Sequence, residues 1–112
     1  MRKGGPMRFT VAGSLLDACV LSLVSGKPAY GYELTQRAQT TIDISESTLY
    51  PVLRRLQKEG MLSTFDQPFD GRNRRYYEIT TAGKNKFKEL LDAWKDYTNR
   101  INTLLIGEGA DE

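Results

Sequence analysis

The sequence predicts a mainly α chain with one small β-hairpin, arranged as a compact head followed by a single long helix. Three observations lead there. Apolar residues recur at helical spacing in three stretches between Phe9 and Gly60. Two short runs, Met61 to Phe65 and Arg74 to Thr80, flank a segment holding Pro68, Asp70 and Gly71, which is the pattern of a hairpin. Beyond it, Phe87, Leu90, Trp94, Tyr97, Ile101 and Leu104 alternate in steps of three and four, the seam of a coiled coil. With 112 residues there is room for one domain and an appended helix, and for a modest core.

Taken in order, residues 1–8 read as a flexible basic arm carrying Arg2 and Lys3. Residues 9–80 form the head. From Phe9 to Val24 the chain is apolar on most sides, so this helix should be buried. Ser25, Gly26, Lys27 and Pro28 end it. A shorter helix follows from Tyr30 to Gln39, with Tyr30, Leu34 and Ala38 four residues apart. Thr40 to Glu46 reads as a polar turn pinned to the core by Ile42 and Ile44. The stretch from Ser47 to Gly60 organises the rest. Leu49, Val52, Leu53 and Leu56 line one face, and Ser45 or Ser47 caps its start. Pro51 fits only in or near the first turn, since deeper in a helix it costs about 3 kcal/mol. In the returning strand, Tyr77 and Ile79 share one face and Tyr76, Glu78 and Thr80 the other. Thr80 or Thr81 caps the last helix, so residues 81–107 form a dimerisation helix and residues 108–112 an acidic tail. A seam on a lone projecting helix would stay wet, so the economical expectation is that it packs on a second protomer.

Composition narrows the function. The chain has 16 Lys and Arg against 14 Asp and Glu, so net charge alone argues little. Distribution says more: residues 70–76 hold three arginines and one aspartate, whereas residues 82–112 hold five cations and six anions. There is no histidine, which removes the commonest general base and metal ligand, and the single Cys19 forms no intrachain disulfide. No catalytic residue, metal site or cofactor is expected, and a reducing, cytoplasmic setting fits. The apolar run near the N-terminus is too short and too interrupted by Asp17 to span a membrane.

Three helices followed by a basic-tipped hairpin make a winged helix-turn-helix plan. A helix fits the major groove, where base edges differ, while flanking elements take phosphates and set register. The Ser47 helix would present Ser47, Thr48, Tyr50, Arg54, Arg55 and Lys58 to double-stranded DNA. The wing would present Arg72, Asn73, Arg74 and Arg75, and Tyr32 could reach a phosphate through its hydroxyl. The alternative is a winged-helix module that binds protein, which an acidic outer face on the Ser47 helix would have favoured.

Four blocks then resemble a known family. They are Tyr30-Gly31-Tyr32-Glu33-Leu34, the run from Ser47 to Leu56, Glu59-Gly60-Met61-Leu62, and the run from Arg74 to Gly83. Together they are similar to the signature blocks of PadR-type transcriptional regulators, and the single long last helix resembles that family's small branch. The resemblance implies a homodimeric repressor with a winged-helix head, a dimerising last helix and an effector that weakens operator binding. It further implies that Trp94 and its dimer mate form a flat slot for a small planar aromatic effector, with Phe9, Ala12, Leu16, Leu91 and Thr98 around it. Physically, two indoles can hold such a molecule by stacking, and a cationic one by cation–π attraction as well. Thr98 is neutral where an acid would help a cation, and Asp92 and Asp96 are expected to point elsewhere on the helix.

Overall fold

The computed structural model describes residues 9–107; the basic arm and the acidic tail lie outside the described residues. In order, the elements are α1 (Gly13–Leu23), β1 (Ala29–Tyr30), α2 (Gly31–Ile42), α3 (Glu46–Lys58), β2 (Leu62–Phe69), β3 (Arg72–Ile79) and α4 (Thr81–Leu105). The strands form an antiparallel sheet in the order β1-β3-β2. The fold is a winged helix-turn-helix with a long C-terminal helix, in agreement with the expected class.

The core is built from all three head helices and the base of the hairpin. Leu16, Val20 and Leu21 of α1 meet Leu34 and Ala38 of α2, with Leu49, Val52, Leu53 and Leu56 of α3 and Leu62, Tyr77 and Ile79 of the sheet. The apolar stripe expected on the Ser47 helix is therefore the face it buries. Each fully buried leucine here contributes about 1.5–3 kcal/mol relative to exposure. Ile44 is buried and Ile42 packs against the core, which pins the α2–α3 turn as the sequence suggested. Tyr77 enters the core while Tyr76 faces out, and burial raises the pKa of the Tyr77 hydroxyl. Cys19 is half-buried, and desolvation pushes its thiol up, which keeps it protonated and unreactive at neutral pH.

Several boundaries differ from expectation. Helix α1 begins at Gly13, not Phe9, because Gly13 takes φ +60° and Ala12 is extended. Helix α2 continues to Ile42, where Asp43 at φ 56° ends it, so the polar turn is shorter than residues 40–46. Strand β1 was not anticipated; two residues are too few to show alternation. Ser45, rather than Ser47, caps α3, accepting a hydrogen bond from Thr48 N–H at 3.3 Å. Pro51 lies in the second turn, beyond the first. It leaves the Ser47 carbonyl without its helical donor, but both residues are exposed, so that carbonyl is open to solvent.

The hairpin is longer and its turn tighter than read. Asp70 and Gly71, at φ 53° and 75°, form a two-residue loop with both residues left-handed, the type I′ arrangement that matches strand twist. Pro68 sits inside β2 without harm because β2 is an edge strand.

Where α3, the hairpin and α4 converge, the chain is locked by close contact. Thr80 caps α4, accepting from Gly83 N–H at 3.0 Å, and its hydroxyl donates to the Gly60 carbonyl at 2.6 Å. Thr80 N–H donates to the Met61 carbonyl at 3.1 Å. Gly83 is buried there, and a Cβ on it would fall 2.1 Å from the Met61 carbonyl oxygen and 2.7 Å from Ile79 Cγ1. Both the backbone at 61 and the core at 79 would have to shift. Gly83→Ala should therefore destabilise the fold by about 2 kcal/mol or more, despite the better helix propensity of alanine. A urea denaturation midpoint equal to that of the parent chain would contradict this.

Candidate functional site

Helix α3 exposes one face directly opposite its buried stripe. Ser47, Arg54 and Lys58 lie along its centre with Pro51 among them, all exposed. Arg54 and Lys58 have no ion-pair partner among the described residues, so their charge faces outward. The two flanks behave differently. On one, Arg55 donates to Asp17 of α1 at 2.5 Å and to Glu59 at 3.4 Å, and the Asp17 hydrogen bond is the main reason its pKa is raised. On the other, Tyr50 is partly buried, with its hydroxyl against Gly31, where a Cβ would come within 3.3 Å. Thr48 is exposed near the cap, beside Ser45. Of the six residues expected on the reading face, the structure thus sets four outward and uses Arg55 and Tyr50 partly to seat the helix against α1 and α2.

The wing cluster is divided by strand alternation. In the β2–β3 register, Asp66 pairs with Arg75 and Pro68 with Asn73 on the face that continues from the core residues Leu62, Tyr77 and Ile79. Gln67 pairs with Arg74 and Phe69 with Arg72 on the outer face. Arg75 accordingly meets Asp66 at 3.3 Å, an exposed pair of small energetic weight. Arg74 is partly buried between two rings, its Cζ 4.2 Å from the Tyr30 centroid and 3.7 Å from that of Phe69. Tyr76 stacks on Phe65 at 5.3 Å, and Tyr30 lies 5.9 Å from Tyr76 and 6.4 Å from Tyr32. This aromatic outer face was missed in the sequence, although Phe65, Gln67 and Phe69 continue the strand's alternation and could have revealed it. Tyr32 is exposed at the start of α2.

A cavity of about 430 Å³ opens between α1 and α4. Leu15 and Ala18 line it from one side and Leu90, Ala93, Trp94 and Tyr97 from the other. Trp94 is there as expected, but its neighbours differ. Helical phase turns Leu16 into the core, and Leu91 and Thr98 fall outside the lining; the Thr98 hydroxyl instead bonds the Trp94 carbonyl at 2.6 Å. Because α1 starts at Gly13, Ala12 lies ahead of it, and Phe9, 92 % exposed, borders a shallow depression with Ile42 and Thr48 instead. Asp96, expected to point elsewhere, reaches the cavity beside Arg100, to which it is paired at 3.5 Å. The acid and the base cancel at the mouth.

The seam on α4 is used in two ways. Phe87 and Leu90 pack against the head's own core. Trp94, Tyr97 and Leu104 are 42 %, 57 % and 77 % exposed, a row of large side chains with little covering it in one chain, while Ile101 is half-buried. No group of histidine, cysteine or carboxylate residues that could hold a metal occurs among the described residues. None of the described helices is long and apolar enough to cross a membrane.

Known proteins resemble this arrangement. The family model described as transcriptional regulator PadR-like matches residues 20–89. A transcriptional regulator of Mycobacterium tuberculosis is 35 % identical over 83 residues, covering 73 % of this chain and 78 % of that protein. The crystal structure of smu.1704 from Streptococcus mutans superimposes with a TM-score of 0.82 at 37 % identity, covering 90 % of this chain and 95 % of that one. Bacillus subtilis PadR, crystallised in complex with operator DNA, shares the fold with a TM-score of 0.63 at 22 % identity, over 68 % of this chain and 46 % of its own.

The Arg55–Asp17 pair is open to a direct test. Its side chains are 45 % and 19 % exposed, so solvent screens it. Arg55→Ala and Asp17→Asn should each lower stability by no more than about 1 kcal/mol, and the double variant by no more than the worse single one. A double-mutant cycle in urea that shows strict additivity would mean the two side chains do not interact in solution.

Proposed function

The chain belongs to the PadR-like family of transcriptional regulators, and from that premise we propose that it is a DNA-binding repressor acting as a homodimer on a palindromic operator. The observation that carries the reading is the outer face of α3, where Arg54 and Lys58 stand exposed and unpaired opposite a fully buried stripe. A helix held so firmly by one face and so free on the other suits insertion into a major groove. Arg54 supplies base contact, with Ser47 and Thr48 near the helix start. Lys58, Tyr32 and the wing residues Arg72, Asn73, Arg74 and Arg75 serve phosphates and register. Arg55 and the half-buried Tyr50 border this face, Arg55 already neutralised in part by Asp17.

The exposed row on α4 supports the dimer. A second copy would cover Trp94, Tyr97 and Leu104, and would place a second α3 at a fixed distance for the other half-site. The cavity beside Trp94 supports a planar aromatic effector, held by stacking on the indole and by the apolar walls of Leu15 and Leu90. With Asp96 and Arg100 paired, the mouth favours neither sign of charge. The setting is the cytoplasm, with the DNA. A second reading, a winged-helix module for a protein partner, draws on the exposed Tyr32 at the start of α2 and on Phe65 and Phe69 of the outer sheet face.

Mobility shifts across salt concentrations separate the two readings. Phosphate contacts predict a steep fall of affinity with salt, and each lost contact should flatten the logarithmic slope by about 0.9. Arg72→Ala should weaken all sequences alike, whereas Arg54→Ala should also relax sequence preference; a binding constant indifferent to salt would remove the DNA reading. For the dimer, Leu104→Glu should shift the sedimentation coefficient toward that of a single chain. For the effector, a planar aromatic dye should quench Trp94 fluorescence, and a flat titration would leave the tryptophan as packing alone.

A further inference from the structure

The wing has a mechanical weakness that its side chains address. Strand β1 pairs with β3 only at Tyr76 and Tyr77, so beyond those residues the hairpin runs on as a two-stranded ribbon to Asp70 and Gly71. A two-stranded ribbon without a third strand or a packed face bends readily. The Arg75–Asp66 pair lies within the ribbon and cannot fix it to the head. The side chains that join the ribbon's outer half to the body are those of the stack: Tyr30 at the junction of β1 and α2, Arg74 on β3, and Phe69 at the end of β2. Tyr30 is in turn in ring contact with Tyr32 in the first turn of α2.

We propose that the Tyr30–Arg74–Phe69 stack is a splint that sets the angle of the wing, and that Arg74 is a positioning residue for DNA binding rather than primarily a phosphate ligand. The inference rests on the DNA-binding reading above. The Arg74 Cζ lies over both rings, 4.2 Å from the Tyr30 centroid and 3.7 Å from that of Phe69, a pair of contacts suited to a flat guanidinium and not to a lysine ammonium. Arg72, at the turn, and Asn73 and Arg75, on the other face, are left to meet phosphates at the place the splint holds them.

The stack makes Phe69, which has no polar group to offer DNA, important for binding it. The probe is a duplex of about 30 base pairs, long enough for two half-sites one helical turn apart, selected from a random-sequence library on the parent chain. Phe69→Leu should raise the Kd about fivefold, and Phe69→Tyr, which keeps the ring, should restore it. The double variant Phe69→Leu with Arg74→Ala should bind no more weakly than Arg74→Ala alone, since either change breaks the same stack. Phe69 is 49 % exposed, so the leucine variant is expected to stay folded, and an unchanged thermal midpoint would verify it. In the proton spectrum of the free protein, ring-current shifts on the Arg74 side chain should collapse in Phe69→Leu. Binding by Phe69→Leu equal to that of the parent, or losses from Phe69 and Arg74 that multiply, would overturn the splint while leaving DNA binding intact. Failure of the parent chain to select any duplex would overturn the DNA reading itself. Absence of ring-current shifts in the parent would overturn the stack independently of DNA.

Discussion

The architecture depends on the contact of Gly83 with the Met61 carbonyl. Four elements meet there within a few residues: α3 has just ended, β2 is about to start, β3 has just ended and α4 begins. Thr80 bonds back to Gly60 and Met61 while capping α4, and Gly83 lets the new helix lie directly on that backbone. With no side chain between them, the direction of the long helix is fixed against the end of the reading helix. A stiff joint at this place ties the direction of α4 to the head that carries α3. Hydrogen bonds and a backbone contact provide it more rigidly than flexible apolar side chains would.

The reading helix is seated from both sides as well as from below. Its buried stripe fixes depth, but a stripe alone allows some rolling. Arg55 reaching Asp17 on one flank and Tyr50 against Gly31 on the other restrain that rotation. Both side chains, expected from the sequence on the outer face, are used in part to seat the helix. Arg74 follows the same logic in the wing. In each case a cation or an aromatic is held by packing within the protein beside groups that stay exposed.

What was legible in the sequence follows from which forces act locally. The stripe of Leu49, Val52, Leu53 and Leu56 was legible because burial enforces helical periodicity on the residues themselves, and the division of Tyr76 from Tyr77 because strand alternation does the same. Trp94 is expected from the sequence in a slot between two protomers, whereas it lines a cavity between α1 and α4 of one chain. Its partners were not legible, because α1 starts at a left-handed Gly13, four residues later than read, which leaves Phe9 and Ala12 ahead of the helix, and its phase turns Leu16 into the core. Strand β1 could not be read since two residues carry no pattern. The splitting of Arg72, Asn73, Arg74 and Arg75 over two faces was implicit in the alternation, but a run of like charge reads as one patch until a register is known. The Asp17–Arg55 link spans 38 positions and leaves no local trace.

Helix α1 emerges as the element common to both ends of the molecule. Asp17 on it holds Arg55 of the reading helix, and Leu15 and Ala18, within one turn of Asp17, form a wall of the cavity facing Trp94. A molecule entering between α1 and α4 would therefore press on the helix that restrains α3 and on the long C-terminal helix. Occupancy by itself shifts nothing, since a ligand moves an equilibrium only by its difference in affinity for two arrangements. The close-packed side of α1, with Leu16, Val20 and Leu21 in the core, resists local yielding. The softer contact is the exposed side of α4 beyond Leu90. A difference in affinity is therefore most readily created in the part of α4 beyond Leu90, since the start of that helix is held at Gly83 and α1 is packed into the core.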